Sequence, residues 1–274
     1  MTDQTGEMTD FVPRRNVFRT LHESGTFVIP NPYDAGSAKL LTALGFSALA
    51  STSGGFAATL GRRDMNVTRN ELVAHVATLT AATELPLNVD AERCFGDTPG
   101  EVGETVQMLC DAGAAGISIE DWNPATDSID PIGIATDRVA AAASVAKTNG
   151  VMLVGRCENF LHGIPDLDET IVRLCSYRDA GAEVIYAPLL PDLAAVKRVV
   201  EEVGLPVNVL LRPGGPTVNE LAEVGVRRIS VGSLLSNIAL GAMVTAAQSL
   251  LDIGQLPNAL STLSRDLVLR AFTE

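Results

Sequence analysis

The chain has 274 residues, 46% of them hydrophobic, and its 33 acidic and 20 basic side chains give a formal net charge of −13. This length and composition suffice for one large α/β domain, and the negative charge argues against a nucleic-acid or anionic-membrane partner. No apolar run reaches the ~18 residues that a membrane span needs, and the acidic start of the sequence lacks the apolar segment of a signal peptide.

Short β-branched runs alternate with helical patterns along the chain, after an N-terminal helix predicted over 11–24. The predicted strands are 26–30, 48–53, 86–90, 116–120, 151–156, 184–187, 206–210 and 228–232. The predicted helices that follow them are 34–45, 68–82, 98–112, 135–147, 167–180, 193–203, 218–224 and 234–251. The stretches 56–68 and 122–132 are predicted to be irregular, and the end of the chain holds another amphipathic helix.

Alternation of this kind predicts parallel strands with right-handed crossovers. Eight strand–helix units predict the α/β fold class, as a (β/α)8 TIM barrel. An open doubly wound sheet is the alternative fold, but two of the eight strand–helix units would have no place in it. No GxGxxG pattern follows the first strand, which argues against a dinucleotide-binding sheet. We expect a mobile acidic tail over 1–10, a single barrel domain over 11–255 and a C-terminal helical extension over 256–274.

The cysteines give no sign of a structural metal or of disulfides. Their spacing matches neither a zinc site nor a CxxC motif, at positions Cys94, Cys110, Cys157 and Cys175. Without an export signal we expect a cytoplasmic protein with reduced thiols. Cys94 follows an acidic motif, but we expect a small packing residue there rather than a catalytic thiol.

Charged residues follow three consecutive predicted strands. Asp90 and Glu92 stand at the end of the third strand, Glu120 and Asp121 at the end of the fourth, and Arg156 and Glu158 at the end of the fifth. In a barrel these side chains would share the C-terminal rim, where such enzymes carry their active sites. Carboxylates that converge repel each other unless a cation lies between them, and their oxygens suit Mg²⁺ or Mn²⁺. The sequence therefore predicts a functional site with a divalent cation at this rim.

The residues on the rim indicate chemistry on a 2-oxo acid. A divalent cation can bind such an acid through its carbonyl and carboxylate and stabilise an enolate. Arg156 can hold the developing oxyanion with its fixed fork of donors, and the small residues 52–55 can offer backbone N–H groups to a carboxylate.

A phosphate-binding site is a rival interpretation of the rim. The glycines at 214–215 and 232 could build a phosphate site, which would suit a phosphorylated substrate but would leave the acids unexplained.

His22 and His75 lie on predicted helices and form no triad pattern with Ser or Cys, whereas His162 lies on a rim loop and could reach the site.

Several motifs resemble the isocitrate lyase/phosphoenolpyruvate mutase superfamily, over about 31–249. They are NPYDAGSA at 31–38, STSGG at 51–55, LGRRD at 60–64, VDAERCFGD at 89–97, SIED at 118–121, GRCENF at 155–160 and DAGAEVIYAP at 179–188. The resemblance implies a (β/α)8 barrel whose last helix is swapped with a neighbouring subunit in a homo-oligomer, a dimer or a dimer of dimers.

The resemblance also implies roles for individual residues. Mg²⁺ or Mn²⁺ would be held by Asp90, Glu92 and Glu120, partly through water. Ser53 and Gly54 would bind the substrate carboxylate. The residues it implies as catalytic are Arg156, Asp64 and Glu120, and the substrate-binding set is Tyr33, Thr52, Ser53, Gly54, Asp90, Arg156 and Asn208.

Departures from the family pattern blur the substrate. The stretch 122–127 lacks the Lys-Lys-Cys-Gly-His loop of the isocitrate and methylisocitrate lyases, so the general acid is open among Asp64, Asn123, Glu158 and a metal-bound water. Pro188 stands where the mutase branch has a histidine. Cys94 replaces a usual glycine, and Glu92 stands where some relatives carry Asp.

We therefore expect a Mg²⁺-dependent lyase that cleaves a C–C bond of a small 2-oxo or 2-hydroxy acid, oxaloacetate- or methylisocitrate-like. The alternatives are P–C chemistry of the phosphonomutase or phosphonopyruvate hydrolase type and a non-catalytic 2-oxo acid binder. A ketopantoate-forming hydroxymethyltransferase is a remote option. In all cases the partner is a small carboxylic acid, with neither nucleic acid nor membrane involved.

Overall fold

The computed structural model describes residues 10–259 and 261–272, and it shows a barrel of eight parallel strands surrounded by helices. In chain order the barrel strands are β1 (Phe27–Ile29), β2 (Leu49–Ala50), β3 (Leu87–Asp90), β4 (Gly116–Glu120), β7 (Met152–Arg156), β8 (Val184–Tyr186), β9 (Val207–Leu210) and β10 (Arg228–Ser230). They pair in the order β1-β10-β9-β8-β7-β4-β3-β2. Between β2 and β1 the Ala50 N–H donates to the Pro30 carbonyl at 3.0 Å, which nearly closes the barrel. The predicted (β/α)8 fold class is confirmed.

Helices surround the barrel as the sequence predicts, and several begin at capping residues. Thr68 and Glu71 form a capping box, as do Thr98 with Glu101. The helices are α1 (Val12–Leu21), α2 (Ala35–Ala43), α3 (Ser53–Thr59), α4 (Arg69–Ala82), α5 (Pro99–Asp111), α6 (Ile132–Thr148), α7 (Leu167–Asp179), α8 (Leu193–Val203), α9 (Val218–Glu223), α10 (Leu234–Ile253) and α11 (Arg265–Ala271).

Helix α1 closes the N-terminal end of the barrel. Phe18 is fully buried against the inner strands, and an added Cβ on Gly116 would meet its ring at 2.5 Å. Arg15 donates to the carbonyls of Ala114 and Asn149 at 3.1 and 2.9 Å. With this end closed, the C-terminal rim is the open end of the barrel. The predicted mobile tail, apart from residue 10, lies outside the described residues.

Two segments predicted to be irregular are ordered. The second strand ends at Ala50, and Thr52 accepts the Gly55 N–H at 3.3 Å, which starts helix α3. The loop after β4 forms a two-stranded antiparallel hairpin, β5 (Trp122–Asn123) with β6 (Ser128–Ile129). Both depend on local hydrogen bonds that apolar periodicity does not reveal.

Helix α10 is long, apolar and exposed. Of its 20 residues only Ser236 is buried. By length and composition alone it could cross a membrane, so the sequence expectation of no candidate span is wrong. The core helix of a soluble protein can pass the same test, but this helix is not covered by its own chain. Helix α11 packs against α2 within the same chain.

Candidate active site

Arg156 lies at the centre of the acidic rim. It ends β7, and the parallel register places it beside Glu120 at the end of β4. Its Nη1 is 3.3 Å from Asp90 Oδ1 and 3.1 Å from Glu120 Oε2, and its Nε donates to Glu158. The guanidinium carbon lies 5.2 Å from the Tyr186 ring centroid. Three carboxylates therefore share one cation, as the sequence pattern suggested they would.

Negative charge on this rim exceeds what Arg156 compensates. Glu92 is 6% exposed and its Oε1 has no hydrogen-bond partner. Burial, and then the charges of Asp90 and Asp64, raise the pKa of Glu92 to about 8. Burial also raises the pKa of Glu120, against the opposing effect of Arg156. An additional cation would stabilise the ionised form of both groups.

The oxygens of this cluster fit a hydrated divalent cation better than a directly chelated one. Among residues 10–259 and 261–272, no group of three or more His, Cys, Asp or Glu side chains is close enough to hold an ion. Arg156 lies between Asp90 and Glu120, which keeps those carboxylates apart. The orphaned oxygen of Glu92 and the all-oxygen donor set suit Mg²⁺ held partly through water.

The start of α3 positions Asp90. The backbone N–H and the hydroxyl of Ser53 donate to Asp90 Oδ2 at 3.1 and 3.0 Å. The Asp90 N–H in turn donates to Ser51 Oγ at 2.9 Å. Thr52 lies 2.8 Å from Ser233, Oγ1 to Oγ, which ties α3 to the start of α10. The carboxylate of Asp90 is thus held by both strand and helix.

Asp64 reaches the site from the segment after α3. An added Cβ on Gly54 would meet Asp64 Oδ2 at 3.0 Å and Ser233 Oγ at 2.8 Å, so a larger residue there would displace the ends of these side chains. Burial, and then the charge of Asp90, raise the pKa of Asp64. A carboxyl group whose pKa is raised in this way is suited to hold or donate a proton.

A buried network behind the rim positions Glu158. Asp121 Oδ1 accepts the Glu158 N–H at 2.8 Å, and its Oδ2 accepts the Tyr177 hydroxyl at 2.5 Å. Arg173 Nη1 lies 3.4 Å from the same Oδ2. Burial acts to raise the pKa of Glu158, but Arg156 and His162 together outweigh it and the net shift is downward. Glu158 is therefore a charged partner that orients Arg156.

His162 meets the site indirectly. Its ring stacks on Trp122 with 3.4 Å between centroids, and its Nε2 is 3.6 Å from Glu158 Oε2. It does not line the central cavity, whereas its neighbour Leu161 does. Cys94 is fully buried at φ +58°, a conformation that favours glycine, and burial raises its thiol pKa to about 12. It is a packing residue, as expected.

A cavity of about 180 Å³ opens at the rim and extends into the barrel. Six of the predicted residues line it: Thr52, Ser53, Asp64, Asp90, Arg156 and Asn208. Glu92 and Glu120 do not line the cavity and lie behind the residues that do. Tyr33 does not line the cavity; its Cβ lies 3.1 Å from where a Cβ on Gly55 would stand, so it packs behind α3. Gly54 supports the wall and does not face the cavity.

The glycines of the rival phosphate site do not line the same cavity. Gly232 and Ser233 line the central cavity, whereas Gly215 lines a separate cavity of about 20 Å³ near Arg212. Pro188 lines the central cavity. The sequence reasoning missed the cavity floor, where Asn88 and Arg228 line the barrel interior. No local signal reveals it, because Arg228 stands beside Arg227 in the sequence and nothing in the pattern distinguishes the two.

Comparisons with known proteins match the whole barrel. The phosphoenolpyruvate phosphomutase family matches residues 18–251. A crystal structure from Burkholderia cenocepacia, described provisionally as a lyase/mutase, is 44% identical, with a TM-score of 0.89 and coverage of 94% of this chain and 95% of that one. An uncharacterized Mycobacterium tuberculosis protein is 35% identical over 248 residues, 88% of this chain and 92% of its own. Oxaloacetate decarboxylase of Pseudomonas putida is 28% identical over 233 residues, 80% of this chain and 78% of its own. The chain belongs to the phosphoenolpyruvate phosphomutase family of enzymes, within the isocitrate lyase/PEP mutase superfamily of lyases and mutases.

Proposed function

We propose that the protein is a Mg²⁺-dependent lyase that cleaves a C–C bond of a small 2-oxo or 2-hydroxy dicarboxylic acid by way of an enolate. The observation that carries the proposal is the carboxylate cluster around Arg156, with the orphaned oxygen of Glu92, beside a cavity of about 180 Å³. The similarity to an oxaloacetate decarboxylase supports a substrate of this class.

The metal would be held by Asp90, Glu92 and Glu120, partly through water. When bound, Mg²⁺ supplies a Lewis acid that polarises the 2-oxo group and offsets enolate charge. Arg156 lines the cavity, and its Nη2 donates to no described residue. This group can therefore donate to the substrate oxygen that gains charge. Ser53 holds Asp90 in place while the substrate binds.

Asp64 is the best placed proton donor or acceptor in the cavity. Its carboxyl lines the cavity and its pKa is raised by burial, whereas Glu158 is committed to Arg156 and Asp121. We assign Asp64 the transfer of a proton to or from the enolate carbon. Asn123 pairs with Asp130 on the hairpin, at 3.3 Å, and takes no part in this step.

The test is release of pyruvate from a panel of carbon acids, coupled to a dehydrogenase, with and without Mg²⁺. The panel is oxaloacetate, 2-methylisocitrate, dimethylmalate and phosphonopyruvate; isocitrate is tested separately for release of glyoxylate, because its cleavage yields glyoxylate and succinate. We expect metal-dependent pyruvate release from a dicarboxylic member. Arg156→Met should lower turnover at least about 100-fold, while Arg198→Met, an exposed arginine on α8, should not. Turnover of phosphonopyruvate alone would favour P–C chemistry instead, and metal-dependent binding without turnover would favour a binding protein.

We also propose a homo-oligomer in which a second copy covers α10. The helix exposes Ile238, Met243, Val244 and Leu251, each between 58% and 82% accessible. Apolar side chains exposed in this number along one helix are unfavourable in water. Light scattering should give a mass of at least two chains.

A further inference from the structure

Arg228 is a buried cation at the floor of the active-site cavity. It is the first residue of β10 and is 2% exposed. Its Nε donates to Asn208 Oδ1 at 2.9 Å and its Nη1 to Asn88 Oδ1 at 3.1 Å. Its Nη2 donates to no residue in the described part of the chain. The guanidinium thus joins β9 to β3 across the barrel interior and keeps one donor group unused.

Arg228 has no carboxylate partner among the described residues, unlike Arg156, which has three. Both of its hydrogen-bond acceptors are neutral amide oxygens. Burial lowers the pKa of Arg228 to about 10, so the side chain remains charged near neutral pH. A buried charge without a counter-charge is strongly unfavourable, and natural proteins seldom keep one without a use.

The neighbours of Arg228 do not supply that counter-charge. His22, on α1 below the barrel, has its pKa lowered to about 4 by burial and then by Arg228, so it is neutral. Tyr186 has its pKa raised to about 12, first by burial, so its hydroxyl is also neutral. Asn208 Nδ2 donates to Ser230 Oγ at 2.9 Å, and Ser230 is in turn hydrogen-bonded to Tyr186. The floor therefore carries one net positive charge, and Arg228 Nη2 is its unused donor.

The two ends of the cavity differ in the charged and polar residues that line them. Asp90, Asp64 and Arg156 line its mouth, and Arg228 with Asn88 and Asn208 lines its floor. Its volume of about 180 Å³ holds several waters or one small acid. A molecule that fills it would have one end at the proposed metal and the other against an unpaired guanidinium.

We propose that Arg228 and Asn208, with Ser230 positioning the Asn208 amide, form a carboxylate subsite that binds the distal carboxylate of a dicarboxylic substrate inside the barrel. The inference rests on the proposed function, because only then does the 2-oxo or 2-hydroxy end lie at the acidic rim. It deepens that function by selecting dicarboxylic substrates over monocarboxylic ones of the same shape. A purely structural Arg228 would link β3 to β9 and have no effect on that selection.

The test compares two ligands of similar shape that differ in the charge of the distal group. Malate carries the distal carboxylate, and 2-hydroxy-4-methylpentanoate replaces it with an uncharged isopropyl group. Oxalate is the third ligand, because it is too short to reach the floor from the rim. Affinities are measured by calorimetry in Mg²⁺ for the wild type, Arg228→Met, Asn208→Asp and the exposed control Arg198→Met.

We expect the wild type and Arg198→Met to bind malate at least about tenfold more tightly than its uncharged analogue, as a charge-assisted pair requires. Arg228→Met should abolish the preference and leave oxalate affinity within about threefold. If Arg228→Met does not fold, the Asn208→Asp variant provides the test of the subsite. It places a carboxylate 2.9 Å from Arg228 Nε and should abolish the preference by neutralising the guanidinium.

Each outcome separates this inference from the proposed function. If oxalate binds with Mg²⁺ but the preference for malate is absent, or survives in the folded variants, the subsite is refuted and the proposed function stands. If the wild type binds oxalate without regard to Mg²⁺, the proposed function fails and the subsite fails with it.

Discussion

Asp121→Asn tests whether the network behind the rim serves the site. Asp121 is 2% exposed and accepts from Glu158, Tyr177 and Arg173. The amide keeps one oxygen for the Glu158 N–H, but it loses the charge that Arg173 faces and presents N–H₂ to the Tyr177 hydroxyl. Arg173 retains Glu169 at 2.7 Å, which limits the cost. We expect a loss of about 2–4 kcal/mol in the free energy of unfolding.

The same substitution should reduce turnover beyond what instability explains. Glu158 orients Arg156, so displacing its backbone shifts the guanidinium relative to the substrate oxygen. A displacement of this kind costs about 10- to 100-fold in kcat. Pyruvate release is measured at a temperature where urea unfolding shows the variant to be folded. The control is Asp179→Asn, which removes an exposed carboxylate paired with Arg178.

Turnover of folded Asp121→Asn within about twofold of the wild type would show that Asp121 stabilises the fold without positioning Arg156. An equal loss of turnover in Asp179→Asn would show that the loss follows net charge and not the network.

The remaining predictions concern charge, assembly and backbone. Folding raises the pKa of Glu92 to about 8, so the folded protein keeps a proton that the unfolded chain releases at lower pH. The free energy of unfolding of the metal-free protein should therefore fall as pH rises from about 5 to about 8. Glu92→Gln should flatten this fall in urea unfolding with EDTA, and an unchanged pH dependence in the variant would contradict the prediction. Replacing the exposed residues Ile238 and Met243 of α10 by Glu should reduce the mass measured by light scattering to one chain, whereas an unchanged oligomer would exclude α10 as the interface. Cys94→Gly should change the free energy of unfolding by less than about 1.5 kcal/mol, because relief of the positive φ offsets lost packing; a larger loss in urea would show that the thiol dominates.

The barrel and its acidic rim could be predicted because both follow from local periodicity. Each strand is a short buried run with a helix after it, and parallel pairing places Glu120 beside Arg156 whatever the loops do. Helix α3 was missed, and residues 48–53 were predicted as strand, because one side chain, Thr52, sets the start of the helix. The hairpin after β4 was missed because its strands are two residues each.

The floor of the cavity lay beyond prediction for a different reason. Arg228 is adjacent in sequence to Arg227, which donates to the Gly25 carbonyl at the surface, and nothing local distinguishes the two. Alternation along β10 sends one side chain inward and the other outward. Which acceptors meet the inward one depends on Asn88 and Asn208, residues far away in the chain.

The central claim is that the carboxylates around Arg156 form a metal-dependent enolate site. The most direct measurement is calorimetric titration with oxalate, a planar analogue of the pyruvate enolate, with Mg²⁺ and with EDTA, on the wild type and Asp90→Asn. The account predicts one oxalate bound per chain in Mg²⁺, no binding in EDTA and no binding to folded Asp90→Asn. Oxalate binding that is equal in EDTA, or unchanged in Asp90→Asn, would contradict it.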